Sequence, residues 1–266
     1  MKNISDIYLL SDVDGTLIGH DLVLPQKNID AICRFVEKGG NFALATGRSI
    51  ESARKFVELL PVNFPCILFN GCSIYDYKLE KEIYTQYLTD VAVVYLKKIL
   101  QEFPHIGATV LIGPDYYDVS PTIDTDRFSI NRAVIDELPP HWYKVLFHME
   151  PEFMKVVGAF TEDQSMNDVL FVKSNTYYFE MLPNNTSKAS ALEKLMQVLD
   201  INASQVIAIG DYYNDLEMLK LAGFSATIET SPDDIKEHAD LIVCRCEDGA
   251  VADLIEHIER YTLNKE

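Results

Sequence analysis

The chain has 266 residues, 48% of them hydrophobic, and 23 Lys and Arg against 41 Asp and Glu, for a formal net charge of −18. That length holds one large domain or two modest ones, and so acidic a surface excludes nucleic acid and anionic membranes as long-range partners. The five cysteines are odd in number and scattered, which excludes a disulfide framework and fits a reducing, cytoplasmic setting.

The first apolar run, Ile7-Tyr8-Leu9-Leu10, reads as a buried strand. Asp6 interrupts the start too early for a secretory leader, and no stretch is long enough to cross a bilayer. Residues 16–24 read as a short hairpin with Gly19-His20-Asp21 at its tip. Pro25 then opens a helix with Ile29, Ile32, Cys33 and Val36 inward, and Gly39 stops it. A strand at Phe42-Ala43-Leu44-Ala45 ends in Thr46-Gly47-Arg48, and Ser49 caps a helix to about Leu60 with Ile50, Ala53 and Val57 inward. A third strand, 65–69, ends in Asn70-Gly71. This strand–helix rhythm predicts a parallel sheet with right-handed crossovers.

The middle of the chain is more polar and more alternating. Thr89 caps a helix carrying Ala92, Tyr95, Leu96, Ile99 and Phe103. Residues 107–112 and 116–119 read as a hairpin around Gly113-Pro114, and 144–149 and 177–181 as further strands. The first rhythm returns with a helix over 188–199, a strand over 206–209, a helix ending at Gly223 and a strand over 224–228. Ser231-Pro232 opens a further helix, 240–243 is a last strand, and Val251, Leu254, Ile255 and Ile258 mark the closing helix. The fold class expected is α/β, a Rossmann-like parallel-sheet core over 1–83 and 183–266 with an inserted α+β cap over 84–182.

Two acidic loops follow apolar runs, Asp12-Val13-Asp14-Gly15-Thr16 and Gly210-Asp211-Tyr212-Tyr213-Asn214-Asp215. Two strands of one parallel sheet bring such loops to the same carboxyl edge, where open α/β sheets bind ligands. Like charges about 4 Å apart repel by roughly 4 kcal/mol at an effective dielectric near 20, so the pair calls for a cation or a shared proton. Converging oxygen donors favour a hard cation, Mg²⁺ being the usual one beside phosphate. Each residue also has a plainer reading. Asp12 and Asp14 could form a solvated turn, Thr46-Gly47 a strand-to-helix turn, and Asn214 with Asp215 a helix cap. Lys188 could be a surface lysine, although a helix start disfavours a cation. Arg48 fits a surface or structural role as well as a substrate contact. His141, Trp142 and Tyr143 read as packing of the cap more readily than as a pocket lining. Cys244-x-Cys246 has no second pair to complete a zinc site.

The order Asp12/Asp14, Thr46-Gly47-Arg48, Lys188, Gly210-Asp211-x-x-Asn214-Asp215 resembles the haloacid dehalogenase-like phosphohydrolase superfamily. Asn70-Gly71, followed by Ile74 and Asp76, resembles its Cof-like branch with a type II cap. The resemblance implies a phosphatase of small phosphorylated metabolites, sugar phosphates first, that works through an aspartyl-phosphate. Asp12 is then the nucleophile and Asp14 the acid and base. Thr46 and Lys188 hold phosphoryl oxygens, with Gly47, Arg48, Asn70, Gly71 and Asn214 as phosphate or substrate contacts. Mg²⁺ is implied at Asp12, the carbonyl of Asp14, Asp211 and Asp215. A monomer or weak homodimer is expected. A phosphomutase shares these motifs, and a receiver-like binding module shares the residue types but is about half as long. The sequence departs from the family at Tyr212, at Ala189 after Lys188, at 226–229 and before Asp248, none of which removes a proposed catalytic group.

Overall fold

The computed structural model describes residues 3–19, 21–121, 131–174 and 176–263, with side chains to 260. His20, at the expected hairpin tip, lies outside the described residues. The chain divides into two compact units, 1–84 with 187–266, and 85–186.

The first unit begins with β1 (Tyr8–Ser11), α1 (Gln26–Glu37), β2 (Asn41–Leu44), α2 (Ile50–Val57), β3 (Cys66–Leu68), β4 (Ser73–Asp76) and β5 (Lys81–Thr85). The second carries α3 (Val91–Glu102), β6 (Gly107–Ile112), β7 (Asp115–Asp118), β8 (Asn131–Arg132), β9 (Trp142–His148), α4 (Pro151–Asp163), β10 (Val169–Lys173) and β11 (Tyr178–Pro183). The chain then returns with α5 (Lys188–Leu199), β12 (Val206–Ile209), α6 (Leu216–Leu221), β13 (Phe224–Ile228), α7 (Asp233–Lys236), β14 (Leu241–Val243) and α8 (Ala250–Leu263).

Among the described residues the first unit has a five-stranded parallel sheet in the order β14-β13-β12-β1-β2. Leu9 and Leu10 are buried on both sides, as continuous apolar runs at the centre of a parallel sheet require. Strand register sets where the loops emerge. Ser11 lies beside Ile209 on one flank and Leu44 on the other, so three strands end at one level. The ladder continues one step into the loops, where Asp12 N donates to Ile209 O at 2.9 Å and Ala45 N to Ser11 O at 2.8 Å. Loops 12–16, 45–48 and 210–215 therefore leave the same sheet edge.

The expected third parallel strand runs beside β2 in the expected direction but without a full ladder. β3 meets the parallel sheet only through one bridge, Ala45 to Ile67, and otherwise pairs antiparallel with β4 in a three-stranded sheet β3-β4-β5. The hairpin over 16–24 is also absent from its described residues. Leu17 and Ile18 are consecutive and both fully buried, which a half-exposed hairpin strand cannot arrange. Instead Ile18 bridges Asp14, and Leu17 N and Ile18 N both donate to Val13 O at 3.0 Å, folding the loop tightly over the strand end. The inward face of α1 is Asn28, Ala31, Ile32 and Phe35, so Ile29, Cys33 and Val36 are only half-buried. Asn28 turns the helix: its Nδ2 donates to Leu17 O at 3.1 Å and its Oδ1 accepts from Ala252 N at 2.9 Å. In α2 the inward residues are Ala53 and Phe56, and Ile50 and Val57 flank them half-buried.

The second unit is a six-stranded sheet, β10-β11-β9-β6-β7-β8, antiparallel except where β7 meets β8. Val110, Val145, Phe147, Phe179 and Met181 point to one face and share a core with Leu96 and Ile99 of α3 and Met154 and Val157 of α4. Trp142 belongs to this core, with Nε1 donating to Pro139 O at 2.8 Å, and Tyr143 is buried. No helix among the described residues is long and apolar enough to cross a membrane.

A carboxylate cluster around a buried lysine

Lys188 is the first residue of α5 and is fully buried. Ser187 caps the helix, its Oγ accepting from Ser190 N at 3.0 Å while Ser190 Oγ accepts from Ser187 N at 2.9 Å. A cation at a helix start opposes the helix dipole. Two carboxylates remove the conflict, because Lys188 Nζ donates to Asp12 Oδ1 at 2.6 Å and to Asp215 Oδ1 at 2.5 Å. Burial alone would lower the ammonium pKa, but Asp12 and Asp215 outweigh it and hold Lys188 above its ordinary value.

Asp215 does not cap α6 with its side chain. Its Oδ2 instead accepts from Asp211 N at 3.1 Å and Tyr212 N at 3.2 Å, clamping the loop onto itself. Gly210 makes room, since a Cβ there would stand 2.4 Å from Asp215 Cγ. Thr16 Oγ1 donates to Asp211 Oδ1 at 3.0 Å, and Gly15, at φ +95°, passes so close that a Cβ would meet Asp211 Oδ2 at 2.4 Å. Thr16 is the site contact to which the motifs assign no role. Its signal is present in the sequence, a hydroxyl two residues after the second carboxylate of the loop.

Asp12, Asp211 and Asp215 thus bring carboxylate oxygens within 4.8 Å of one another. Burial raises Asp12 well above the ordinary carboxylate range; Lys188 pulls it down, and Asp215, Asp211 and Asp14 push it up. Asp211 is pushed up to about 7, again first by burial and then by Asp215, against the pull of Thr16 and Lys188. Three acids face one ammonium, so the cluster is short of positive charge. Hard oxygen donors in a negative, dehydrated setting fit a divalent cation.

The other site residues surround this centre. Thr46 is buried at the end of β2, its Oγ1 accepting from Arg48 N at 3.2 Å. Asn70 is buried at φ +57°, accepts from Asn214 Nδ2 at 3.1 Å, and packs where a Cβ on Gly47 would be 3.0 Å away. Gly71, at φ +103°, lies where a Cβ would be 2.1 Å from Ser187 O. Loop 69–71 is thereby pressed against the start of α5. Asp14 stands apart from the acidic cluster. Its carboxylate is gripped by Arg48, with Nε donating to Oδ2 at 2.7 Å and Nη2 to Oδ1 at 2.6 Å.

The parallel α/β core gathers three acids and a buried lysine at its carboxyl edge, and the family match makes this site that of a hydrolase. The chain belongs to the haloacid dehalogenase-like hydrolase family, whose model matches residues 9–255. The 5-amino-6-(5-phospho-D-ribitylamino)uracil phosphatase YcsE of Bacillus subtilis is 27% identical over 262 residues, covering 95% of this chain and 96% of that protein. A haloacid dehalogenase-like hydrolase from Bacteroides thetaiotaomicron superposes with a TM-score of 0.84 at 23% identity, over 95% of this chain and 99% of the other. The subclass IIB sugar phosphatase BT4131 does so with a TM-score of 0.81 at 18% identity, over 95% and 99%. These two likenesses establish the shared fold.

Proposed function

We propose that the protein is a Mg²⁺-dependent phosphatase of small phosphorylated metabolites, with sugar phosphates as the leading class. The observation that carries this reading is the Lys188 ammonium between Asp12 and Asp215, with Asp211 completing the acidic set. Asp12 is the nucleophile. A carboxylate oxygen attacks phosphorus in line, the ester P–O bond breaks, and Asp14 gives its proton to the leaving oxygen. Asp14 then takes a proton from water as that water attacks the aspartyl-phosphate, which returns Asp12 and releases inorganic phosphate. Lys188 stabilises charge growing on the transferring group, and the Thr46 hydroxyl, free to donate while its oxygen accepts from Arg48 N, orients a phosphoryl oxygen. Asn70, Gly71 and Asn214 shape the same loop edge. Asp12, Asp211, Asp215 and the Asp14 carbonyl are the groups to hold Mg²⁺. When bound, the ion neutralises charge on the phosphoryl oxygens and on the acids around it.

The leaving-group class is supported by the relatives' own substrates, a phosphorylated ribityl compound for YcsE and sugar phosphates for BT4131. The inserted unit, free of the motif residues, is the part assigned to leaving-group selection. None of the five cysteines forms a disulfide, which supports a reducing compartment such as the cytoplasm. The test is phosphate release across sugar phosphates, nucleotides and phosphorylated cofactors, with and without Mg²⁺, for the wild type and Asp12→Asn. Release that needs Mg²⁺ and vanishes in the folded variant is expected; turnover retained by Asp12→Asn would remove Asp12 as the nucleophile.

A further inference from the structure

Asp14 has a half-exposed carboxylate, its side chain 52% accessible, and a lone Asp in such a place samples several rotamers. Here both its oxygens are held. The Arg48 fork grips them at 2.7 and 2.6 Å, a bidentate geometry a lysine cannot reproduce. Arg48 is itself fixed. Its backbone N donates to Thr46 Oγ1, and its carbonyl accepts from Phe69 N at 3.0 Å. Its Cζ lies 5.0 Å from the ring centroid of Phe56, a buried residue of α2. The chain of support runs from α2 through a ring to a guanidinium, and from there to a carboxylate in the nucleophile's own loop, two residues after Asp12. The fork turns the Nε–Nη2 edge of the guanidinium to Asp14, two of its five N–H groups, so that this edge faces the carboxylate and not a substrate.

We infer that Arg48 is a positioning residue: it acts on the reaction through Asp14, by setting where that carboxylate stands. This rests on the reading of Asp14 as the group that moves the proton: the fork as seen holds the carboxylate that takes a proton from water, and one oxygen leaves the fork when Asp14 carries a proton to the leaving group. A misplacement of about 1 Å in such a group can cost on the order of a hundredfold in rate. The effect belongs in kcat, because substrate need not touch Arg48.

The test is a double-mutant cycle on full-length protein, with p-nitrophenyl phosphate and saturating Mg²⁺ as the probe. Arg48→Ala is expected to lower kcat by at least about tenfold with KM within about threefold of wild type. In an Asp14→Asn background the same change should lower kcat by less than about twofold, since the group it acts through is already disabled. Arg48→Lys, which keeps the charge and loses the fork, should stay well below wild type. It also serves if Arg48→Ala does not fold. An equal fold loss in both backgrounds, a loss borne by KM alone, or full activity in Arg48→Lys would overturn the inference while leaving the phosphatase reading intact. No turnover by the wild type would instead sink the phosphatase reading, and this inference with it.

Discussion

Asp211 carries the cluster's most legible titration. Its folded-state pKa of about 7 lies above the ordinary carboxylate value near 3.9. Between about pH 4 and 7 the folded chain therefore holds a proton that the unfolded chain has released. The folded state binds more protons there, so this group makes the metal-free protein less stable as pH rises through that window. A cation must displace the same proton to reach the oxygen. Mg²⁺ affinity is thus expected to tighten from about pH 6 to 8 with proton release. Calorimetry in two buffers of different ionisation enthalpy measures both, and an affinity indifferent to pH across that range would remove Asp211 from the ligand set. The sequence revealed this cluster because strand adjacency alone brings its members together: loops after β1 and β12 must meet if the strands are parallel neighbours. It could not reveal the Arg48 fork. Thirty-four positions separate Arg48 from Asp14, and side-chain rotamers decide whether the arginine turns to a substrate, to solvent or to a carboxylate.

At the scale of elements, the start of α5 is set by backbone contact as well as by its cap. Gly71 sits at φ +103°, and a Cβ there would stand 2.1 Å from Ser187 O, a backbone atom that cannot swing aside. Gly71→Ala combines a left-handed penalty with a clash, so a loss of more than about 1 kcal/mol is expected. Lys188 follows Ser187 directly, so turnover should also fall at temperatures where the variant is still folded. Urea unfolding and phosphate release measure the two effects separately; wild-type turnover in a destabilised variant would show that Lys188 does not depend on this contact. Elements set by clear apolar periods, such as α5 and β12, lie where the sequence puts them. The face of α1 does not, because counting apolar residues passes over Asn28, a polar side chain buried for its hydrogen bonds. Helix α4 is unforeseen as well. Its buried side includes Thr161, whose Oγ1 donates to Gly158 O at 2.7 Å, and its Val156 is exposed, which blurs the stripe. The helix expected to start at Pro232 begins one residue later, with Pro232 as its cap.

Over the whole molecule, each unit has its own closed core, and every acidic oxygen of the proposed cation site lies in the first. Separate cores allow separate unfolding, so a single stability value need not describe the chain. A ligand bound only by the folded first unit raises the stability of that unit alone, by about 2.7 kcal/mol at a hundredfold excess over its dissociation constant. Scanning calorimetry of the full chain should then show two overlapping transitions, with added Mg²⁺ moving one of them upward. The moving transition should become insensitive to Mg²⁺ in Asp211→Asn, while the other stays where it was. A single transition moved as a whole would mean that the units unfold as one body, and upward shifts of two separate transitions would mean that the ion also binds the second unit. The Asp211→Asn scan separates these, because a second site would still move its own transition once the first had lost its ligand.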